Sequence, residues 1–149
     1  MITVLSVNNE KPYPEEQIAR FRVHMQRIGA TIVDRHWAVE IQIDQNDCFC
    51  KGFLFRHDLT AFVIDLISTK EARRRQGAAK SVITQVLAVL DTLSLTCGLD
   101  AEDLYTATMP FDDLIAWYER LGFRMVLNNE IGITMRRPPQ TISADRSLV

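Results

Sequence analysis

The chain has 149 residues, 47% of them hydrophobic and 24% charged, a composition that fits one globular domain with a single core. A formal net charge of −2 and a pI near 5.9 argue against a general nucleic-acid binder, which needs a basic surface to hold phosphates. No apolar run is long enough to span a bilayer, the N-terminal stretch lacks a basic region followed by an apolar core, and three cysteines suggest no disulfide framework; a reducing, cytoplasmic setting is expected.

In chain order, ITVLSV at the start is an apolar run suited to a first strand, broken by NNEKPYP. A helix is predicted from Glu15, with Ile18, Phe21, Met25 and Ile28 on one face and Gly29 as its stop. Residues 37–44 alternate, with Trp37, Val39, Ile41 and Ile43 facing one way, which predicts a half-exposed strand. A turn at DQND leads to a partner strand over 48–55, and His57-Asp58 turns the chain into a β-branched and aromatic run over 61–67. These three strands make an antiparallel meander. The apolar residues after Lys80 recur at helical spacing up to residue 95. A break over 97–103 then precedes a short strand at 104–109, expected to lie parallel to the 61–67 strand with the long helix as crossover. Residues 112–121 form an amphipathic helix ended by Gly122, and a hairpin joins 123–127 to 131–136 through Asn128-Asn129-Glu130. The predicted fold is mixed α/β: a central, mostly antiparallel sheet of about six to seven strands flanked by helices. One domain over 1–136 and a polar tail over 137–149 are expected.

The turn between the 61–67 strand and the long helix carries the chemistry. Gly77, Ala78 and Ala79 stand where the helix should begin. A helix start offers unpaired N–H groups and the positive end of the macrodipole, and small side chains let a phosphate come close. Arg73, Arg74, Arg75 and Lys80 add charge around it. Neither GxGxxG nor GxxxxGK[ST] occurs, so the dinucleotide and NTP loops are excluded. The segment Arg74-Arg75-Gln76-Gly77-Ala78-Ala79 resembles the Q/R-x-x-G-x-G/A signature of the GNAT superfamily of N-acetyltransferases. About forty residues on, Trp117-Tyr118-Glu119-Arg120-Leu121-Gly122-Phe123 is similar to the segment that closes the last helix of those enzymes.

The resemblance, which covers residues 60–135, implies a parallel strand pair that splays apart to admit the pantetheine arm of acetyl-coenzyme A. The arm would run along Ile67, Ser68 and Thr69, and the pyrophosphate would sit on Arg74, Arg75, Gln76, Gly77, Ala78, Ala79 and Lys80. It implies direct acetyl transfer to a primary amine, of a small molecule or a peptide, in a ternary complex, with no metal, no nucleic acid, no membrane and a possible homodimer. Tyr118 is the candidate general acid, since a phenol can protonate a departing thiolate of similar basicity. A backbone N–H near Ile67 would meet the charge developing on the carbonyl oxygen. Asp65 is the candidate base, with Glu40 and Glu71 as rivals. Asp112 and Asp113 most simply stabilise a helix start. Cys48 and Cys50 share a strand face without further metal ligands. The chain departs from the family in having Phe111 where many members carry a cofactor-contacting asparagine, and one convincing early helix where most place two. Those departures motivate an alternative, a non-catalytic GNAT-fold module that binds an acyl-coenzyme A or a protein.

Overall fold

The computed structural model describes residues 14–69, 77–102, 110–128 and 132–140. In chain order these form α1 (Pro14–Arg27), β1 (Thr31–Asp34), β2 (Ala38–Gln45), β3 (Cys48–Phe55), β4 (Ala61–Thr69), α2 (Ala78–Thr92), β5 (Thr96–Glu102), α3 (Phe111–Arg120), β6 (Arg124–Asn128) and β7 (Gly132–Arg137). The described strands make one sheet in the order β1-β2-β3-β4-β5-β7-β6, antiparallel throughout except for the β4–β5 pair. The mixed sheet flanked by helices is as expected from the sequence.

Helix α2 shows why burial, not propensity, decides this architecture. Val82, Ile83, Thr84, Val86, Val89 and Thr92 are β-branched, each costing a few tenths of a kcal/mol in a helix, up to about 0.7. Burying Val82, Ile83, Val86, Leu87 and Leu90 returns about 1.5–3 kcal/mol apiece. The helix packs on β2, β3, β4 and β5 and against α1, which adds Phe21 and Met25. Val39, Leu54, Phe62 and Cys97 stand opposite one another across four strands, so all four face these helices.

Two irregularities shape β4. Lys51 pairs with Leu66 and Gly52 with Ile64, which leaves Asp65 as the extra residue of a β-bulge. Before the bulge the even-numbered Phe62 and Ile64 are buried; after it Ile67, opposite Cys50, takes the helix-covered face, while Asp65 and Leu66 are exposed. Gly52 is required here, because a Cβ would lie 2.3 Å from the Phe62 ring. The second irregularity is on the other edge. β4 and β5 pair only at Ala61↔Thr96, Phe62↔Cys97 and Val63↔Gly98. Beyond that β4 stays with β3 as far as Thr69, and β5 stays with β7 as far as Glu102, so the parallel pair opens as a wedge.

The structure corrects three expectations. The parallel strand is Thr96–Glu102, not 104–109, which lies outside the described residues. Gly98 and Asp100 read as a break, yet Cys97, Leu99 and Ala101 are buried with the two-residue period of a strand. Strand β1 was not expected; four residues at a sheet edge carry too little pattern to be read. β2 begins after Trp37 and is largely buried rather than half exposed. The expected first strand and the question of a second early helix lie outside the described residues.

An ion pair fastens the far end of the sheet. Arg137, 7% exposed, grips the Asp91 carboxylate with both terminal nitrogens, at 2.7 and 3.0 Å, and donates from Nε to the Leu121 carbonyl at 2.7 Å. The Gln140 N–H donates to the same carboxylate. This ties the end of α2, strand β7 and the end of α3 together.

Candidate functional site

Four features of the fold bear on the candidate site. The first is the start of α2. Gly77 is its N-cap, in the left-handed region at φ 79°, exposed, with no side-chain cap among the described residues. A Cβ there would meet nothing within 4 Å, so the glycine serves backbone conformation and leaves the helix start open. The N–H groups of Ala78, Ala79 and Lys80 have no partner within the helix and point out of its end. Arg73, Arg74, Arg75, Gln76 and Glu71 lie outside the described residues.

The second feature is the stretch of β4 that runs past its last pair with β5. Ile67 and Thr69 are half-buried, Ser68 is exposed, and among the described residues none of the three pairs with β5. An unpaired strand edge is a template for an extended ligand.

The third is Tyr118. The end of α3 is a Schellman motif: Phe123 N–H bonds the Tyr118 carbonyl at 3.2 Å, Gly122 N–H bonds the Glu119 carbonyl at 3.0 Å, and Gly122 takes φ 102°. Tyr118 and Phe123, which that motif brings together, touch edge to face at 5.6 Å. The segment WYERLGF thus has a structural reason of its own. It also sinks the Tyr118 side chain to 6% exposure. Burial, with the Cys50 and Cys97 thiols nearby, pushes the phenol up to about 12. Burial likewise pushes the Cys50 thiol up to about 12, and Cys97 higher still.

The fourth lies on the sheet face opposite α1 and α2. Asp65 is half exposed and its Oδ2 stands 3.4 Å from Lys51 Nζ. Glu40 is almost fully buried, accepting hydrogen bonds from Arg35 Nε at 3.0 Å and from Gln42 Nε2. Burial alone would raise its carboxyl, but the bonds from Gln42 and Arg35 and the charges of Arg35 and Lys51 outweigh that and hold it below its ordinary value. Beside it, Trp37 packs on Phe53 and Phe55 with ring centroids 5.0 and 5.7 Å away. Phe111 opens α3, partly buried against the core, and Asp112 and Asp113 occupy its exposed first turn.

Sequence reasoning did not single out Lys51. The signal was there: counting back and forward from the predicted turn at Asp58, Lys51 and Asp65 are equidistant, so a hairpin places them side by side. Among the described residues no group of three or more His, Cys, Asp or Glu side chains could hold a metal ion. No described helix is long and apolar enough to cross a membrane.

No family model and no curated protein matches the sequence. Solved structures do. The ribosomal-protein-S18-alanine N-acetyltransferase from Escherichia coli aligns with a TM-score of 0.56 at 17% identity, over 91% of this chain and 83% of that one. An aminoglycoside 6'-N-acetyltransferase complexed with coenzyme A aligns at 0.55 and 15% identity, over 73% and 77%. The anti-CRISPR protein AcrVA5 aligns at 0.53 and 22% identity, over 65% of this chain and 96% of its own. At these identities the likeness is one of fold: the described seven-stranded sheet with its parallel β4–β5 pair is the fold of the GNAT acetyltransferases.

Proposed function

We propose that the protein is an acetyl-coenzyme A dependent N-acetyltransferase acting on a primary amine by direct attack in a ternary complex. The observation that carries this reading is the wedge between β4 and β5, which opens at the bulge and lies next in sequence to the uncapped start of α2. The residues present fit the cofactor: a helix N-terminus without a side-chain cap among the described residues, at Gly77, Ala78, Ala79 and Lys80, for a pyrophosphate, and the stretch Ile67, Ser68 and Thr69, which runs past the last β4–β5 pair, for an amide-bearing arm. Arg74, Arg75 and Gln76 belong to the same turn by sequence.

The bound cofactor supplies an activated thioester. A backbone N–H near Ile67, on the side of β4 that no longer pairs with β5, donates to the carbonyl oxygen as charge develops there. Asp65 takes up the proton that the amine sheds. It is preferred to Glu40, whose oxygens are already engaged by Arg35 and Gln42 in a buried site. Tyr118 returns a proton to the departing thiolate. At about 12 the phenol would be a poor donor to a thiolate of ordinary basicity, near 8.5. A water-excluded site would raise the thiolate's basicity in the same direction as the phenol's. The acceptor is an amine of a small molecule or a peptide.

The test is calorimetric titration with acetyl-coenzyme A of the wild type and of Gly77→Asp, followed by an amine screen. Aspartate is one of the few residues that visit the left-handed conformation and a Cβ there meets no described atom within 4 Å, so in a variant whose thermal melt shows it folded the carboxylate repels a pyrophosphate. Micromolar binding lost in the variant supports the reading, and no binding in either overturns it. Phe111, packed at the start of α3 where an asparagine is expected, supports the second reading, a fold kept for binding alone; cofactor binding without turnover on any amine would favour it.

A further inference from the structure

We propose that Lys51 is itself an acceptor, so that the site acylates its own chain at the Lys51 ε-amine; this rests on the acetyltransferase reading above. Lys51 stands on β3 directly opposite Leu66, beside the bulged Asp65. Its Nζ lies 3.4 Å from Asp65 Oδ2 and 5.8 Å from the centroid of the Phe53 ring. A carboxylate and an aromatic face are the two groups that hold an ammonium ion, and here both are turned on one point. The seat an amine acceptor would need beside the candidate base is thus built, and the chain's own lysine occupies it. Lys51 is 31% exposed and Asp65 50%, so the pair is open to solvent. Ion pairs that open contribute little to stability, and the amine can leave the carboxylate without disturbing the strand.

The step balances with acetyl-coenzyme A as the only co-reactant. The Lys51 ammonium loses a proton to Asp65 and thence to water. The neutral amine forms the N–C bond, the C–S bond breaks, the thiolate takes a proton from Tyr118, and the second proton shed by the nitrogen returns to the Tyr118 phenolate through water. The products are acetyl-lysine and free thiol. Because the amine is tethered beside the base, the reaction has the advantage of proximity and is first order in protein. Its consequence is local: the modified side chain carries no charge, and both Asp65 and Glu40 lose a cation from their surroundings.

The experiment incubates the full chain with acetyl-coenzyme A and follows acetylation of each lysine by peptide mass spectrometry, with an external amine panel assayed in parallel. Lys51 is expected to be acetylated at least about tenfold faster than Lys11, Lys70 or Lys80, at a rate independent of protein concentration, and Asp65→Asn is expected to remove that advantage. Lys51→Arg, which keeps the ion pair, should gain no acetyl group at this position. A second readout needs no cofactor: nuclear Overhauser contacts between the Lys51 ε-methylene and the Phe53 ring in the free protein, lost on acetylation. External amines acetylated while Lys51 reacts no faster than Lys11 would overturn the proposal and leave the enzyme reading intact. Absent contacts to Phe53 would also overturn it. No cofactor binding at all would bring down both.

Discussion

Tyr118 and Asp65 occupy opposite situations. Tyr118 is the buried partner of a helix-ending motif, touching Trp117 and Phe123, and its phenol is held neutral by burial. Asp65 is a residue inserted into a strand, half exposed, whose one charged neighbour among the described residues is Lys51. The proposed acid is therefore built into the fold, while the proposed base is an addition to it. Substitutions at Tyr118 mix folding with chemistry unless they keep the ring; those at Asp65 report on chemistry alone.

The largest effect expected from this contrast is on turnover. On the proposed function, Tyr118→Phe keeps the ring contacts and should lower kcat by about 10²–10⁴ with the urea midpoint little changed. A comparable loss of kcat and of stability would mean the phenol acts structurally. Next, Arg137→Met should destabilise the protein by about 3–5 kcal/mol in urea titration, since it leaves Asp91 without its bidentate partner at a nearly buried site. Third, Asp65→Asn should change stability by less than about 0.5 kcal/mol, because exposed pairs contribute little, while slowing transfer by about tenfold or more. A large loss of stability in this variant would erase the contrast.

The smallest effect is in pH dependence, and its sign differs between Tyr118 and Glu40. The Tyr118 phenol is raised in the fold, so its neutral form favours folding. That contribution is complete below the unfolded value near 10 and is lost as pH climbs towards about 12. The Glu40 carboxyl is lowered in the fold, so its contribution is present above the ordinary carboxylate value and is lost as pH falls through the lowered one. Thermal melts across both windows should show Tyr118→Phe flattening the alkaline limb and Glu40→Gln flattening the acid limb.

Much of this was legible beforehand, for identifiable reasons. α1, α2 and α3 carry long apolar periods, and Gly29 and Gly122, just past α1 and α3, both have positive φ as their predicted roles as stops require. Gly77 was readable as a helix start because few other residues suit that conformation. Strand β5 was misplaced because a glycine and an aspartate inside a strand look like a turn, and only pairing with β4 and β7 on either side makes TCGLDAE a strand. The bulge, the burial of Glu40 and the grip of Arg137 on Asp91 are long-range, joining residues up to 46 positions apart that no local pattern connects. The surroundings of Tyr118 are of the same kind: burial, with Cys50 and Cys97 as lesser contributors, raises its phenol only because the sheet and α3 gather these residues from distant parts of the chain.

The bulge at Asp65 also governs parity along the central strand. Even-numbered residues point to the helices before it and odd-numbered ones after it, so the strand carries two phases joined at one residue. Deleting either Asp65 or Leu66 would remove the bulge and merge the phases into one regular alternation, with Ile67 still opposite Cys50 and Ser68 still opposite Phe49. Anywhere else along β4 a one-residue change would turn every side chain beyond it to the other face; at the bulge alone a single residue can be lost without inversion.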